Sequence, residues 1–272
     1  MPAPLPHETL DILLRGRLRL LQSRKGHRTS VDSLALAWFG ARLIQERLPL
    51  HNLRLLDLGA GAGMVALAFG LAVPTAQLTL VELQPGQADR AQRNVRLNGL
   101  DSRAAVLQAD LAQEWPVPPP QVDLLLCNPP FRVPGTGVEP ALLERRLAHF
   151  ESSASLAVFA HRAAQALDPQ GVSAWVFPWL ERKRLLGALA EAGLAVALCP
   201  LYHREGDAQP VRALVAAWPE RSLAPAATLT FASGLALHLA AGLEDRYHPD
   251  LEAFIAQMPE PAPGELASAP GR

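Results

Sequence analysis

The sequence predicts an α/β domain in which a mostly parallel β-sheet is covered by helices on both faces. Three observations carry this prediction. Short apolar runs alternate with helical patterns from Leu53 to Cys199, the pattern that crossover helices between parallel strands produce. The first run ends in Asp57-Leu58-Gly59-Ala60-Gly61-Ala62-Gly63, which opens directly into a helix. The fourth is halted by Asn128-Pro129-Pro130, and prolines supply no N–H to carry a strand onward.

The elements follow in chain order. Residues 1–9 read as a loose tail, and Leu18, Leu20 and Leu21 mark a short strand in an otherwise ambiguous stretch. From Ser30, a plausible N-cap, a helix runs through Leu34, Ala37, Trp38 and Leu43. Strands are expected at 53–58, 77–83, 104–108, 122–127, 172–177, 194–199 and 211–218. Helices are expected at 64–71, 85–98, 153–167 and 181–192; Pro85 sits in a first turn, and Gly99 and Gly193 follow helix ends. Asp168-Pro169-Gln170-Gly171 reads as a turn. The polar stretch 200–210 holds no helix, which predicts that the last strand is antiparallel and lies on the sheet edge. A further hairpin is expected at 229–239 around Ala232-Ser233-Gly234.

Composition bounds the function. Hydrophobic residues make up 49% of the 272 and charged residues 19%, which supports a large core and excludes a globally disordered chain. A net charge of -1 excludes a strongly basic nucleic-acid module but leaves room for a local basic face. Cys127 and Cys199 each close an apolar run and read as small buried hydrophobes. Neither they nor the eight histidines show ligand spacing, so no metal is expected. There is no signal-peptide pattern and no bilayer-length apolar stretch. The chain therefore reads as cytoplasmic, with no membrane partner. The length fits a single domain over 29–258, with a basic extension over 1–28 and a proline-rich, disordered tail over 259–272.

The glycine stretch is a ligand loop by position. Gly59, Gly61 and Gly63 permit a tight turn and close backbone approach to a ligand at the carboxyl end of the sheet, where open α/β sheets bind. Asp57 precedes the turn, Glu82 closes the next strand and Asp110 the third. Glu82 is placed to accept bonds from two ribose hydroxyls, and Asp110 to face an adenine amino group. Glu82 alone fits a dinucleotide equally well.

Asn128-Pro129-Pro130-Phe131 is the sharper signal. A planar NH2 group is oriented by two acceptors, and the Asn128 side-chain oxygen and Pro129 carbonyl form such a pair. Phe131 is suited to stack on the ring that carries the amine.

These two motifs in this order resemble class I methyltransferases acting on exocyclic amines. These include N6-adenine enzymes, N2-guanine rRNA enzymes and the glutamine methyltransferases of release factors. Gly26-His27-Arg28-Thr29-Ser30-Val31-Asp32, the Arg132 and Gly135-Thr136-Gly137 that follow Phe131, the 145–151 run and the 242–247 run narrow the likeness. Over roughly residues 10–255 the chain resembles the bacterial tRNA1(Val) adenine-37 N6-methyltransferases. The resemblance implies a Rossmann-like fold with seven strands, mostly parallel with an antiparallel last strand. It also implies S-adenosylmethionine as donor and a tRNA adenine as acceptor. Asp57, Gly59, Gly61, Glu82, Asp110 and Asn128 match such enzymes' cofactor and amine contacts. Phe131 stands where many relatives carry tyrosine, and phenylalanine also occurs in N2-guanine enzymes.

RNA would meet a basic rim. Arg15, Arg17, Arg19, Arg24, Lys25 and Arg28 outnumber the acids of the first 28 residues, and Arg132, Arg145 and Arg146 follow the second motif. Arg28 and Arg132 are the leading substrate contacts. Arg182, Lys183 and Arg184 fit a solvated helix face better. The competing functions are methylation of guanine N2 or of a protein glutamine, a non-catalytic cofactor-binding RNA scaffold, and an NAD-dependent oxidoreductase.

Overall fold

A computed structural model describes residues 3–25, 28–47, 52–113, 121–131, 155–222, 234–238 and 247–260. A two-stranded hairpin, β1 (Glu8–Leu13) and β2 (Leu18–Ser23), precedes α1 (Val31–Arg47). The central run is β3 (Arg54–Leu58), α2 (Met64–Ala72), β4 (Gln77–Glu82), α3 (Pro85–Leu97), β5 (Ala104–Gln108) and β6 (Val122–Cys127). Then come α4 (Leu156–Ala166), β7 (Leu167–Pro178), α5 (Arg182–Glu191), β8 (Leu194–Arg204), β9 (Arg212–Pro219), β10 (Leu235–His238) and α6 (Pro249–Ala256).

The main sheet has the order β10-β8-β9-β7-β6-β3-β4-β5. The seven expected strands are all present, and β10 adds an eighth, parallel to β8. β9 alone among them is antiparallel, but it lies between β7 and β8 and not at the edge. The reason is geometric. The α5 crossover carries β8 two positions beyond β7, and the short link after β8 returns the chain antiparallel into the gap between them.

Other expectations change for local reasons. The turn expected at 168–171 is absorbed into β7, where a register shift opposite Val122 and a bond from Gln170 N–H to Asp168 Oδ1 (3.0 Å) mark its remnant. β8 runs on through Pro200 to Arg204, so the polar stretch is half strand. Residues 229–233 of the expected hairpin and 261–272 of the expected tail lie outside the described residues.

The strands are buried on both faces, and alternate residues feed two cores. Leu55, Leu78, Leu80, Leu124 and Leu126 face α1, α2, α6 and the hairpin. Leu56, Leu58, Val81, Leu125 and Cys127 face α4 and α5. α2 is apolar all round and buried along its whole length, as a helix enclosed between sheet and outer layer must be. Gly40 lets α1 lie against β6: a Cβ there would come within 2.6 Å of Leu126. Cys127 and Cys199 are free and buried, as expected. No helix among the described residues is long and apolar enough to cross a membrane.

The segment expected as a loose tail over 1–9 already contains the start of a strand. Glu8 is 1% exposed and begins β1. Its carboxylate accepts from Arg93 Nη1 (2.8 Å) and Nη2 (2.5 Å), from Arg90 Nε (3.0 Å) and from Leu5 N–H (3.0 Å). The hairpin's outer edge is met by α3 side chains. Asn98 exchanges bonds with the backbone of Arg19, and Asn94 with that of Leu21. Strand β2 thus ends in side-chain amides on one edge and in β1 on the other, with no exposed pairing edge.

The Arg93 guanidinium, aided by Leu5 N–H and Arg90, holds the Glu8 carboxyl down at about 2, against an ordinary 4.5, despite the opposing effect of burial. The stabilisation is therefore complete above about pH 4.5 and is lost as pH falls towards about 2. Urea unfolding of Glu8→Gln across this range checks it. The variant is expected to be less stable than wild type at neutral pH, and the gap should close on acidification.

Candidate active site

The site lies at the carboxyl ends of β3, β4, β5 and β6. Gly59 (φ 71°), Gly61 (φ 55°) and Gly63 (φ 92°) are all left-handed, which explains the glycines between β3 and α2. A Cβ on Gly63 would also meet Leu80 at 3.1 Å, whereas Gly61 faces open space.

The loop spends its N–H groups on the protein itself. Gly59 and Ala60 donate to the Val81 carbonyl (2.9 and 3.0 Å), and Gly63 donates to Ala60 (2.9 Å). Gly61 N–H donates to Glu82 Oε2 (2.8 Å), while Gln84 N–H donates to Glu82 Oε1 (2.8 Å). A pyrophosphate cradle needs such N–H groups free, so these bonds speak against a dinucleotide.

Acids dominate the walls. Asp57 is 1% exposed and accepts from Ala66 N–H (3.1 Å) at the first turn of α2. Burial, reinforced by the charge of Glu82 and opposed by the Ala66 bond, pushes its carboxyl up to about 7. Burial also raises Glu82, against the backbone N–H groups that favour its charged form. Asp110 accepts from Ala112 N–H (2.9 Å). Three carboxylates around one cleft favour a ligand rich in donors or positive charge over a dianionic one.

One cleft, with about 1030 Å³ of atom-free space including its mouth, brings together Asp57, Gly59, Gly61, Glu82, Asp110, Asn128 and Pro130. Of the other residues expected here, Gly63 sits at the start of α2 and Pro129 is buried beside the cleft without lining it. Phe131 turns its ring to Phe177, edge to face at 6.5 Å, and does not line the cleft.

Arg28 is exposed and held on the hairpin by Thr9 Oγ1 (2.9 Å) and the Asp11 carboxylate. Arg15 pairs with Glu252 (2.5 Å), and Arg17 with Glu260 (3.2 Å) and the Met258 carbonyl. Arg15, Arg17 and Arg28 of the basic N-terminal set thus serve the protein's own contacts. Arg132, Gly135–Gly137, Arg145, Arg146 and the rest of the 145–151 run lie outside the described residues, as do 26–27 and 242–246.

Several contributors escaped the sequence reading. Gln22 at the end of β2, Thr29 and Ser33 around the start of α1, and Gln87 and Phe159 also line the cleft. Thr29 and Ser30 belong to the 26–32 stretch, so a signal was present for that wall. None existed for Gln22, whose amide oxygen accepts from Thr29 N–H (2.7 Å). Asn94 was also missed. Fully buried, it donates to the Ala62 carbonyl of the glycine loop (2.9 Å) while holding Leu21.

The family profile described as "Methyltransferase small domain" matches residues 30–171, more than half of the chain, and takes in the cleft residues from Ser33 to Phe159. The chain belongs to the methyltransferase small domain family. Two curated proteins, from Yersinia pestis and Yersinia pseudotuberculosis, are both named tRNA1(Val) (adenine(37)-N6)-methyltransferase. Each is 38% identical over 86 residues, which is 31% of this chain and 35% and 34% of theirs. The matched stretch thus spans about a third of those relatives. A predicted O-methyltransferase from Agrobacterium tumefaciens has the same fold at a TM-score of 0.60, with 21% identity over 83% of this chain and 96% of its own. Within the methyltransferase small domain frame, the match joins the glycine loop, Glu82 and the Asn128 corner in one segment.

Asp57 yields a test of the site's electrostatics. From pH 3.8 to about 7 the unfolded chain is ionised here while the fold retains the proton, so stability falls as pH rises through that window. Asp57→Asn is expected to gain stability relative to ligand-free wild type on going from about pH 5 to about pH 8, measured by urea unfolding. An unchanged difference at the two pH values would refute the buried, proton-retaining carboxyl.

Proposed function

We propose that this chain is an S-adenosylmethionine-dependent methyltransferase that methylates the exocyclic N6 amine of an adenine in RNA, with a tRNA as substrate. The observation that carries the reading is that Asn128 and Pro130, on either side of the buried Pro129, line the same cleft as Glu82 and the glycine loop. The names of the Yersinia relatives support the choice of adenine and tRNA.

The residues present fit the donor. Glu82 and Asp110 offer acceptors for ribose hydroxyls and an adenine amino group, and the acid-lined wall suits a sulfonium and an ammonium. Loop N–H groups already committed to Val81 and Glu82 favour this ligand over NAD. When bound, S-adenosylmethionine supplies a methyl group activated by its sulfonium charge.

The protein's share is positioning. Asn128 Oδ1 and the Pro129 carbonyl accept the two hydrogens of the acceptor NH2, which draws the nitrogen towards a pyramidal, nucleophilic geometry. The prolines stiffen that corner, and holding the reacting atoms in line supplies much of the rate. The nitrogen loses one proton, which passes to solvent. Arg28 and Arg132 are proposed to contact the RNA backbone.

Methyl transfer from labelled S-adenosylmethionine to total tRNA, with purified release factor in parallel, tests the reading. Label in tRNA adenine is expected; label in release factor alone would move the acceptor to a glutamine amide, and label in guanine to N2. Asn128→Ala should lower turnover about 100-fold while calorimetric cofactor affinity stays near wild type, because only acceptor orientation is lost. Glu82→Ala should weaken cofactor binding by about 10- to 100-fold, as expected when a charged hydrogen-bond acceptor is removed.

A further inference from the structure

We infer that Arg184 is a positioning residue for the acceptor corner, a role that rests on the proposed methyl transfer. The sequence alone suggested a solvated charge on α5. The structure instead turns Arg184 inward from the first turn of that helix. Its Nη1 donates to the Phe131 carbonyl (2.9 Å) and to the Glu181 carboxylate. The guanidinium carbon lies 5.9 Å from the Phe177 ring centroid, and that ring meets Phe131 edge to face at 6.5 Å and 90°. Arg184 therefore grips Phe131 through its backbone and, by way of Phe177, through its ring.

The need for such a grip follows from the corner's chemistry. Pro129 and Pro130 have no N–H groups, so neither can be tied down by donating a backbone bond. Asn128 and the Pro129 carbonyl must stay available for the acceptor amine. Just past the prolines, the Phe131 carbonyl receives a charge-assisted bond from Arg184, stronger than a neutral one. Glu181, one residue before α5, holds the guanidinium in place. Neighbouring Arg182 is engaged differently, lying 4.1 Å above the Trp179 ring and donating to the Trp179 carbonyl (2.7 Å). The cluster thus divides its work, and only Arg184 reaches the corner. A single Arg184 Nη1, with its two N–H groups, serves the carbonyl and the carboxylate together.

The test uses the full chain carrying 4-fluorophenylalanine at position 131, with Arg184→Ala and Arg184→Lys variants. The fluorine resonance is read without substrate, so it does not depend on the acceptor being correctly identified. Arg184→Ala is expected to shift and broaden the resonance, and Arg184→Lys to restore it in part. On tRNA, Arg184→Ala should lower kcat about 10- to 100-fold, the scale of a small misplacement of reacting groups. Cofactor affinity should be unchanged and the KM for tRNA little altered.

A fluorine resonance unmoved in Arg184→Ala, with near-ultraviolet dichroism confirming a native fold, would overturn the inference. A rise in KM with a reduced salt dependence and unchanged kcat would also overturn it, since it would make Arg184 a phosphate contact. Absence of methyl transfer by the wild type would count against the proposed reaction, while the resonance would still decide whether Arg184 holds the corner.

Discussion

The side-chain amide of Asn94 joins three parts of the molecule that have no covalent reason to stay together. From α3 it reaches the backbone of Leu21 in the hairpin and the carbonyl of Ala62 in the glycine loop. It is fully buried, so any bond it lost would leave a desolvated polar group. The cleft depends on this arrangement because two of its walls come from those two parts: Gln22 from the hairpin, Gly59 and Gly61 from the loop. The Glu8 clamp to Arg90 and Arg93 serves the same end from the other strand of the hairpin. An N-terminal segment that might have been an appendage is in this way a wall of the site.

The site's polarity follows from the same architecture. Parallel strands covered on both faces leave their carboxyl edge as the place where polar groups can gather. Glu82 serves both fold and site there: its oxygens hold Gly61 and Gln84 N–H groups, fixing the loop, and retain lone pairs for a ligand. Because the loop N–H groups close on the protein itself, the cleft is poor at holding anions and suited to a cation. On the acceptor side the prolines reverse the logic. They remove donors, leave acceptors, and transfer the task of anchoring to Phe131 and the guanidinium of Arg184.

Much of this was legible in the amino-acid sequence because it is local. The glycine turn, the Asn-Pro-Pro corner and the apolar strand runs each announce themselves within a few residues, since φ freedom, a missing N–H and side-chain period are properties of neighbours. Glu82 and Asp110 could be placed because strand ends fall at a common edge in a parallel sheet. The reading failed where long-range pairing decided the outcome. Glu8 looked like part of a polar tail, yet its partners lie more than eighty positions away on α3. Arg15 and Arg17 looked like part of a basic rim, but they pair with carboxylates far along the chain.

The sequence by itself determined the class of fold, the glycine turn after β3 and the Asn-Pro-Pro corner after β6, because each is set by backbone chemistry at consecutive residues. The tertiary structure alone decided that β9 enters between β7 and β8, that the hairpin walls the cleft, and that Phe131 leans on Phe177 while Arg184 holds its carbonyl. Those outcomes depend on which buried donors and acceptors find partners across the fold, and no local pattern of residues encodes that pairing.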